Sequence, residues 1–245
     1  MKAEFPKFDL VVANIPYGIS SPLVAKLVYG VNPFRSATLL LQKEFARRLL
    51  AKPGDSEFNR LAVNVKLVAD VEFVMNVSKR DFLPAPKVDS SVVIIRPKDQ
   101  IPDVNLDEWW AFTKTCFGKK NKTLGATFKQ KKKVIELFRL SKMANSNGEE
   151  MNRNQYVCAD DDGDNEESEG EECHSSSCTD RELLFFKEKI IEVLKAASFE
   201  DKRPSKLCNE ELLYLLSMLN QSGIYFHELT KPSSVDNVAF AAAYS

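Results

Sequence analysis

The stretch FDLVVANIPYGISSPL, Phe8 to Leu23, decides how the chain reads. Its first part, FDLVVAN, is apolar on both faces and β-branched at Val11 and Val12. That pattern predicts a short, fully buried strand of a parallel sheet. The strand ends on Asn14, Ile15, Pro16 and Tyr17. In open α/β sheets, ligands bind beyond the carboxyl ends of the strands. The amide oxygen of Asn14 and the carbonyl of Pro16 are acceptors at such a place. Ring closure fixes φ at Pro16 and so stiffens the position of that carbonyl. Tyr17 adds a flat face on which a base can stack. Two acceptors beside a ring suit an exocyclic amine on a planar heterocycle. The amine of adenine is a poor nucleophile, because its lone pair is spread into the ring. Acceptors gripping its hydrogens turn the nitrogen toward tetrahedral geometry and aim the lone pair at an electrophile, which is catalysis by positioning. Taken alone, the same residues also fit a strand-ending turn with Tyr17 in the core.

Outward from there, SSPLVAKLVYG predicts a helix with Ser20 or Ser21 as N-cap, Pro22 in the first turn and Gly30 near its end. SATLLLQ (36–42) reads as a second buried strand, and KEFARRLLA (43–51) as a helix stopped by Pro53 and Gly54. FNRLAVNVKLVAD (58–70) has apolar residues at helical spacing. VEFVMNVS (71–78) and SSVVIIRP (90–97) read as strands. Residues 1–98 are therefore expected to form an α/β sheet with a hairpin-like end. From Leu106 onward the patterns LDEWWAFTKTCFG, VIELFRLSKM, RELLFFKEKIIEVLKAA, NEELLYLLSMLNQ and VDNVAFAAAY are all helical. They predict a helical region over 99–143 and 181–245. Between its parts, residues 144–180 include Asp160, Asp161, Asp162, Asp164, Glu166, Glu167, Glu169, Glu171 and Glu172 with no basic residue among them. This segment is expected to be a disordered acidic insertion.

With 245 residues, 44% of them hydrophobic, the chain can bury a sizeable core. A net charge of −1 selects no class of partner. No run of about 18 apolar residues exists, so no membrane span is expected. The five cysteines are odd in number, which argues against a disulfide framework. Cys158, Cys173, His174 and Cys178 lack a zinc spacing, so no metal site is expected.

Two further segments carry chemistry. FLPAPKVDSSVV, Phe82 to Val93, has two closely spaced prolines that make a stiff loop. Phe82 at its start offers a second aromatic face, so that a flipped base would lie between Tyr17 and Phe82. Lys87 is placed to meet a phosphate. From Lys114 to Lys142, ten basic residues, Lys119, Lys120 and Lys122 among them, face a single acid, Glu136. Phe117 and Phe128 interleave, which suits a surface that contacts structured RNA through its phosphates. A solvated helix face has the same composition.

Together NIPYGISSPL (14–23), LLLQKEFARRLLAKPGD (39–55), RLAVNVKL (60–67), FLPAPKVDSSVV (82–93) and CFGKKNKTLGATFK (116–129) resemble the ribosomal RNA adenine dimethyltransferases, over roughly residues 8–140. The wording of FGKKNKTL is similar to the eukaryotic or archaeal-type branch. The resemblance implies a Rossmann-like methyltransferase sheet, here a remnant of one, followed by a small all-α domain that binds RNA. It implies transfer of methyl groups from S-adenosylmethionine to the exocyclic amines of adjacent adenines near the 3′ end of small-subunit rRNA. Asn14 and Pro16 would hold the target amine, with Tyr17 and Phe82 on either face of the base. Asn14 would also border the methionine end of the cofactor. The implied partner is small-subunit rRNA or a pre-ribosomal particle, met by a monomer in the nucleus, nucleolus or mitochondrion. A non-catalytic RNA-binding factor in subunit assembly and a mitochondrial transcription factor are the alternatives on the same fold.

One departure is large. The family's cofactor loop is a glycine-rich turn after the first strand. No G-x-G-x-x-G precedes Asn14 here. The expectation is an N-terminally truncated chain that lacks roughly 60–100 residues of βα units, with most of the cofactor site, and does not bind S-adenosylmethionine.

Overall fold

The computed structural model describes residues 7–30, 34–145 and 177–227. Four strands form one sheet: β1 (Leu10–Asn14), β2 (Ser36–Gln42), β3 (Ala69–Val77) and β4 (Ser90–Pro97), in the order β1-β2-β4-β3. β1 and β2 are parallel, with Leu10 opposite Ser36 and Asn14 opposite Leu40. The connection between them contains α1 (Ser20–Tyr29), the crossover that a parallel pair requires. β4 runs antiparallel to both β2 and β3. The β3–β4 pair carries a bulge between Phe73 and Met75. The expected α/β sheet with a hairpin-like end is therefore present.

Alternation sorts the two faces of this sheet. Ala37, Leu39, Leu41, Val93 and Ile95 point inward and are buried. They pack with α1, α2 (Lys43–Leu50) and α3 (Arg60–Val68) in one hydrophobic core. The other face stays open among the described residues: Val12 is 83% exposed and Met75 53%. This corrects the reading of β1 as fully buried. Val11 and Ala13 pack against the core, but Leu10 and Val12 do not.

The start of α1 is a second correction. Its N-cap is Ile19, with no side-chain cap, and Ser20 already has helical angles of φ −58° and ψ −46°. The cause is a 3₁₀ turn over Tyr17–Ile19, which takes up the Ser20 amide on the Tyr17 carbonyl. A serine already in helical conformation does not cap the turn that follows. Asn59 does cap α3, accepting the Leu61 amide at 2.8 Å and that of Ala62 at 3.3 Å.

After β4 the described residues are helical: α4 (Leu106–Phe117), α5 (Leu124–Phe128), α6 (Lys131–Asn145), α7 (Ser177–Ala196) and α8 (Asn209–Gln221). Trp109, Phe112, Phe128, Leu137, Ile190, Leu215 and Ile224 are fully buried or nearly so. Most of the expected acidic insertion (144–180) and the helical pattern VDNVAFAAAY lie outside the described residues.

The helices share their core with the sheet region. Tyr29 meets Trp110 edge-on at 5.2 Å between ring centres, and Phe58 meets Phe117 at 5.9 Å. Thr113 Oγ1 donates to the buried Asn64 Oδ1 at 3.1 Å. Asn209 donates to the Val63 carbonyl at 3.0 Å.

Candidate functional site

β1 delivers Asn14 to the carboxyl end of the sheet with an exposed side chain. Among the described residues its amide has no hydrogen-bond partner. Pro16 follows in extended conformation, at φ −57° and ψ 133°. Its carbonyl accepts the Ile19 amide at 3.1 Å. A carbonyl oxygen has two lone pairs, so one remains for a ligand. Tyr17 opens the 3₁₀ turn, half-buried, and its hydroxyl lies 2.7 Å from Ser90 Oγ. Ser90 is fully buried at the start of β4.

That hydrogen bond brings the two sequence motifs together, because Ser90 ends the loop that carries Phe82 and Lys87. The loop is fastened at both ends. Ser78 caps the 3₁₀ turn Lys79–Asp81, accepting from the Arg80 amide at 3.2 Å, and Asp81 accepts in return from the Ser78 amide at 3.2 Å. Asp89 Oδ1 accepts the Lys79 amide at 3.1 Å, and the Asp89 carbonyl accepts that of Lys43 at 3.0 Å. Phe82 leaves the turn half-buried, and Lys87 is exposed. The sequence alone gives Asp89 and Ser90 no role, because both act through contacts that the fold creates.

The basic residues divide into two groups. Lys119 and Lys122 are exposed and make no ion pair among the described residues, as do Lys131, Lys132 and Arg139. Lys120, expected beside them, is half-buried and donates to the carbonyls of Ser56 at 2.8 Å and Phe58 at 3.1 Å. It ties the loop after α4 to the segment before α3. Lys129 pairs with Glu200 at 2.7 Å, and Lys142 with Glu182 at 2.6 Å.

Asn14, exposed at the end of β1, is the group of this chain that would border a cofactor held beyond the strand ends. No other described residue is assigned to it.

The family model "Ribosomal RNA adenine dimethylase" matches residues 1–156. The chain is 65% identical over 231 residues to "Ribosomal RNA small subunit methyltransferase, mitochondrial" of Arabidopsis thaliana, covering 94% of this chain and 59% of that relative. It is 44% identical over 248 residues to "Ribosomal RNA small subunit methyltransferase" of the same plant, covering 92% of this chain and 68% of that relative. A crystal structure of a dimethyladenosine transferase from Plasmodium falciparum matches with a TM-score of 0.72 at 35% identity, covering 92% of this chain and 72% of the other. The sheet and helices thus follow the Rossmann-like methyltransferase fold, and the chain spans 59% of the length of the first of these relatives. On this evidence the chain belongs to the ribosomal RNA adenine dimethylase family.

Proposed function

We propose that this chain serves the S-adenosylmethionine-dependent dimethylation of the exocyclic amines of adjacent adenines near the 3′ end of small-subunit rRNA. The observation that carries it is the open amide of Asn14 beside a Tyr17 ring that is held by its far end on Ser90. Asn14 Oδ1 and the free lone pair of the Pro16 carbonyl accept the two amine hydrogens. Tyr17 and Phe82 bear on the faces of the base and exclude water from the amine. S-adenosylmethionine, when bound, supplies the electrophilic methyl group. The partner is small-subunit rRNA or its precursor particle, contacted through Lys87, Lys119 and Lys122. Lys120 supports that surface from below and does not grip phosphate. The compartment we favour is the mitochondrion, supported by the name of the Arabidopsis relative.

Asn14→Ala introduced into the gene tests this reading. The adjacent adenines would then lose the dimethyl mark, read as loss of reverse-transcription arrest on small-subunit rRNA. Unchanged arrest in the variant would overturn it. A subunit-assembly defect on deletion of the gene, with no defect and no lost mark in the variant, would favour the RNA-binding alternative.

A further inference from the structure

We infer that Asp89 and Ser90 are positioning residues that set the relation between the two aromatic walls, Ser90 through the Tyr17 hydroxyl and Asp89 through the turn that carries Phe82. The inference rests on the reading of Tyr17 and Phe82 as the faces of a base slot.

Consider what holds each ring. The Tyr17 hydroxyl is the atom farthest from its own backbone, so a bond there stops the ring from swinging about its side-chain torsions. Its partner, Ser90 Oγ, lies 2.7 Å away on a fully buried residue. Ser90 itself has little freedom, because its backbone is in register with Gln42 on one side and Val77 on the other. Phe82 is held one residue earlier in the same strand approach. The Asp89 carboxylate takes the Lys79 amide at 3.1 Å, its carbonyl takes the Lys43 amide at 3.0 Å, and the capped turn from Lys79 ends immediately before Phe82. One dipeptide at the head of β4 therefore references both rings to the same strand. A stack on a flat base tolerates little tilt or separation. Loosening either member changes how the slot closes on a base, without removing any group that touches it.

The test uses the chain with an RNA hairpin from the 3′ end of small-subunit rRNA, carrying 2-aminopurine in place of a target adenine. The fluorescence of that base changes when it leaves the duplex stack, and fluorescence anisotropy reads hairpin binding separately. Ser90→Ala and Asp89→Ala are each expected to cut the 2-aminopurine change at least fivefold, with hairpin affinity within twofold of the parent, and Tyr17→Phe is expected to cut that change by as much. Asp89→Asn keeps an oxygen toward the Lys79 amide and is expected to restore the signal to within twofold. The Tyr17→Phe/Ser90→Ala pair should be no worse than either single change, since both break one bond. Hydrogen exchange at the Lys79 amide should quicken at least tenfold in Asp89→Ala and not in Asp89→Asn. Should Ser90→Ala fail to fold, Tyr17→Phe breaks the same bond from the less buried end. A signal within twofold of the parent in both alanine variants, or an Asp89→Asn variant as impaired as Asp89→Ala, overturns the inference. A parent chain that binds the hairpin with no 2-aminopurine change overturns the base slot itself, a failure visible before any variant is made.

Discussion

Glu108 Oε2 lies 2.5 Å from His227 Nδ1, across 119 residues of chain. The same carboxylate accepts the backbone amides of Phe226 and His227, each at 3.0 Å. Asn220, with its amide turned to satisfy both ends, donates to Oε1 at 2.9 Å. Glu108 is 2% exposed, so the acid in the first turn of α4 is a buried clamp for the turn after α8. It also seats Phe226 edge-on against Phe112 at 5.1 Å and Phe128 at 6.0 Å.

Glu108→Ala is expected to strand those amides in a dry interior and lower stability by about 3 kcal/mol. Glu108→Gln keeps an acceptor oxygen and should lose less than half of that. Denaturant titration of the three proteins checks the order.

Gly125→Ala is expected to cost about 2 kcal/mol by overpacking. A Cβ there would lie 2.9 Å from the Glu200 carbonyl oxygen and 2.7 Å from Glu200 Cγ. The Gly125 amide already donates to that carbonyl at 2.8 Å, so the two segments cannot move apart without losing the bond. A thermal melt should fall by about 6 °C for a chain of this size.

Lys66 donates to the carbonyls of Leu50 at 2.8 Å and Ala51 at 2.5 Å, closing the end of α2. Burial lowers its pKa below the ordinary 10.5, helped by the positive charge of Lys52. Folding therefore disfavours the charged form, and the unfolded chain holds more proton at this site between the lowered value and 10.5. Stability conferred at this site rises with pH through that window. Lys66→Met is expected to remove the rise and to cost about 2 kcal/mol at neutral pH through two uncapped carbonyls. Urea midpoints for both proteins across pH 8 to about 10.5 measure the difference in slope.

The two kinds of lysine should separate in a salt titration. Lys119→Ala and Lys122→Ala are each expected to reduce the slope of log affinity against log salt for duplex RNA by about 0.9, with little change in stability. Lys120→Ala should leave the slope nearly intact and lower stability by about 1 kcal/mol, because its ammonium serves the Ser56 and Phe58 carbonyls.

Legibility in the sequence followed the physics of each element. β4 was readable to the residue, because SSVVIIRP is β-branched, continuous and bounded by a proline loop. NEELLYLLSMLNQ was equally plain as α8, with acids in its first turn. The burial of β1 was misread because an apolar strand looks the same whether one face or both are covered. Ser20 looked like a cap because the 3₁₀ turn before it leaves no mark in composition. At the site, Asn14, Pro16, Tyr17 and Phe82 stood out by residue type at a strand end and a loop. The fixation of Tyr17 by Ser90 depends on a contact between positions 73 residues apart, and that of the Phe82 turn by Asp89 on one across 10 residues of loop, which no local pattern carries. Glu108 was invisible for the same reason: an acid at a helix start is ordinary until the turn after α8 closes over it.

The shared core beneath the sheet and the helices has a mechanical consequence. Thr113 on Asn64, Phe117 on Phe58 and Lys120 on two carbonyls fasten α4 and its loop to the body that ends in Asn14 and Tyr17. Among the described residues, the lysines after α4 and the acceptors after β1 thus sit on one packed body. Under the proposed function, that fixed separation would make the span between a groove and an extruded base the quantity by which an RNA is gauged.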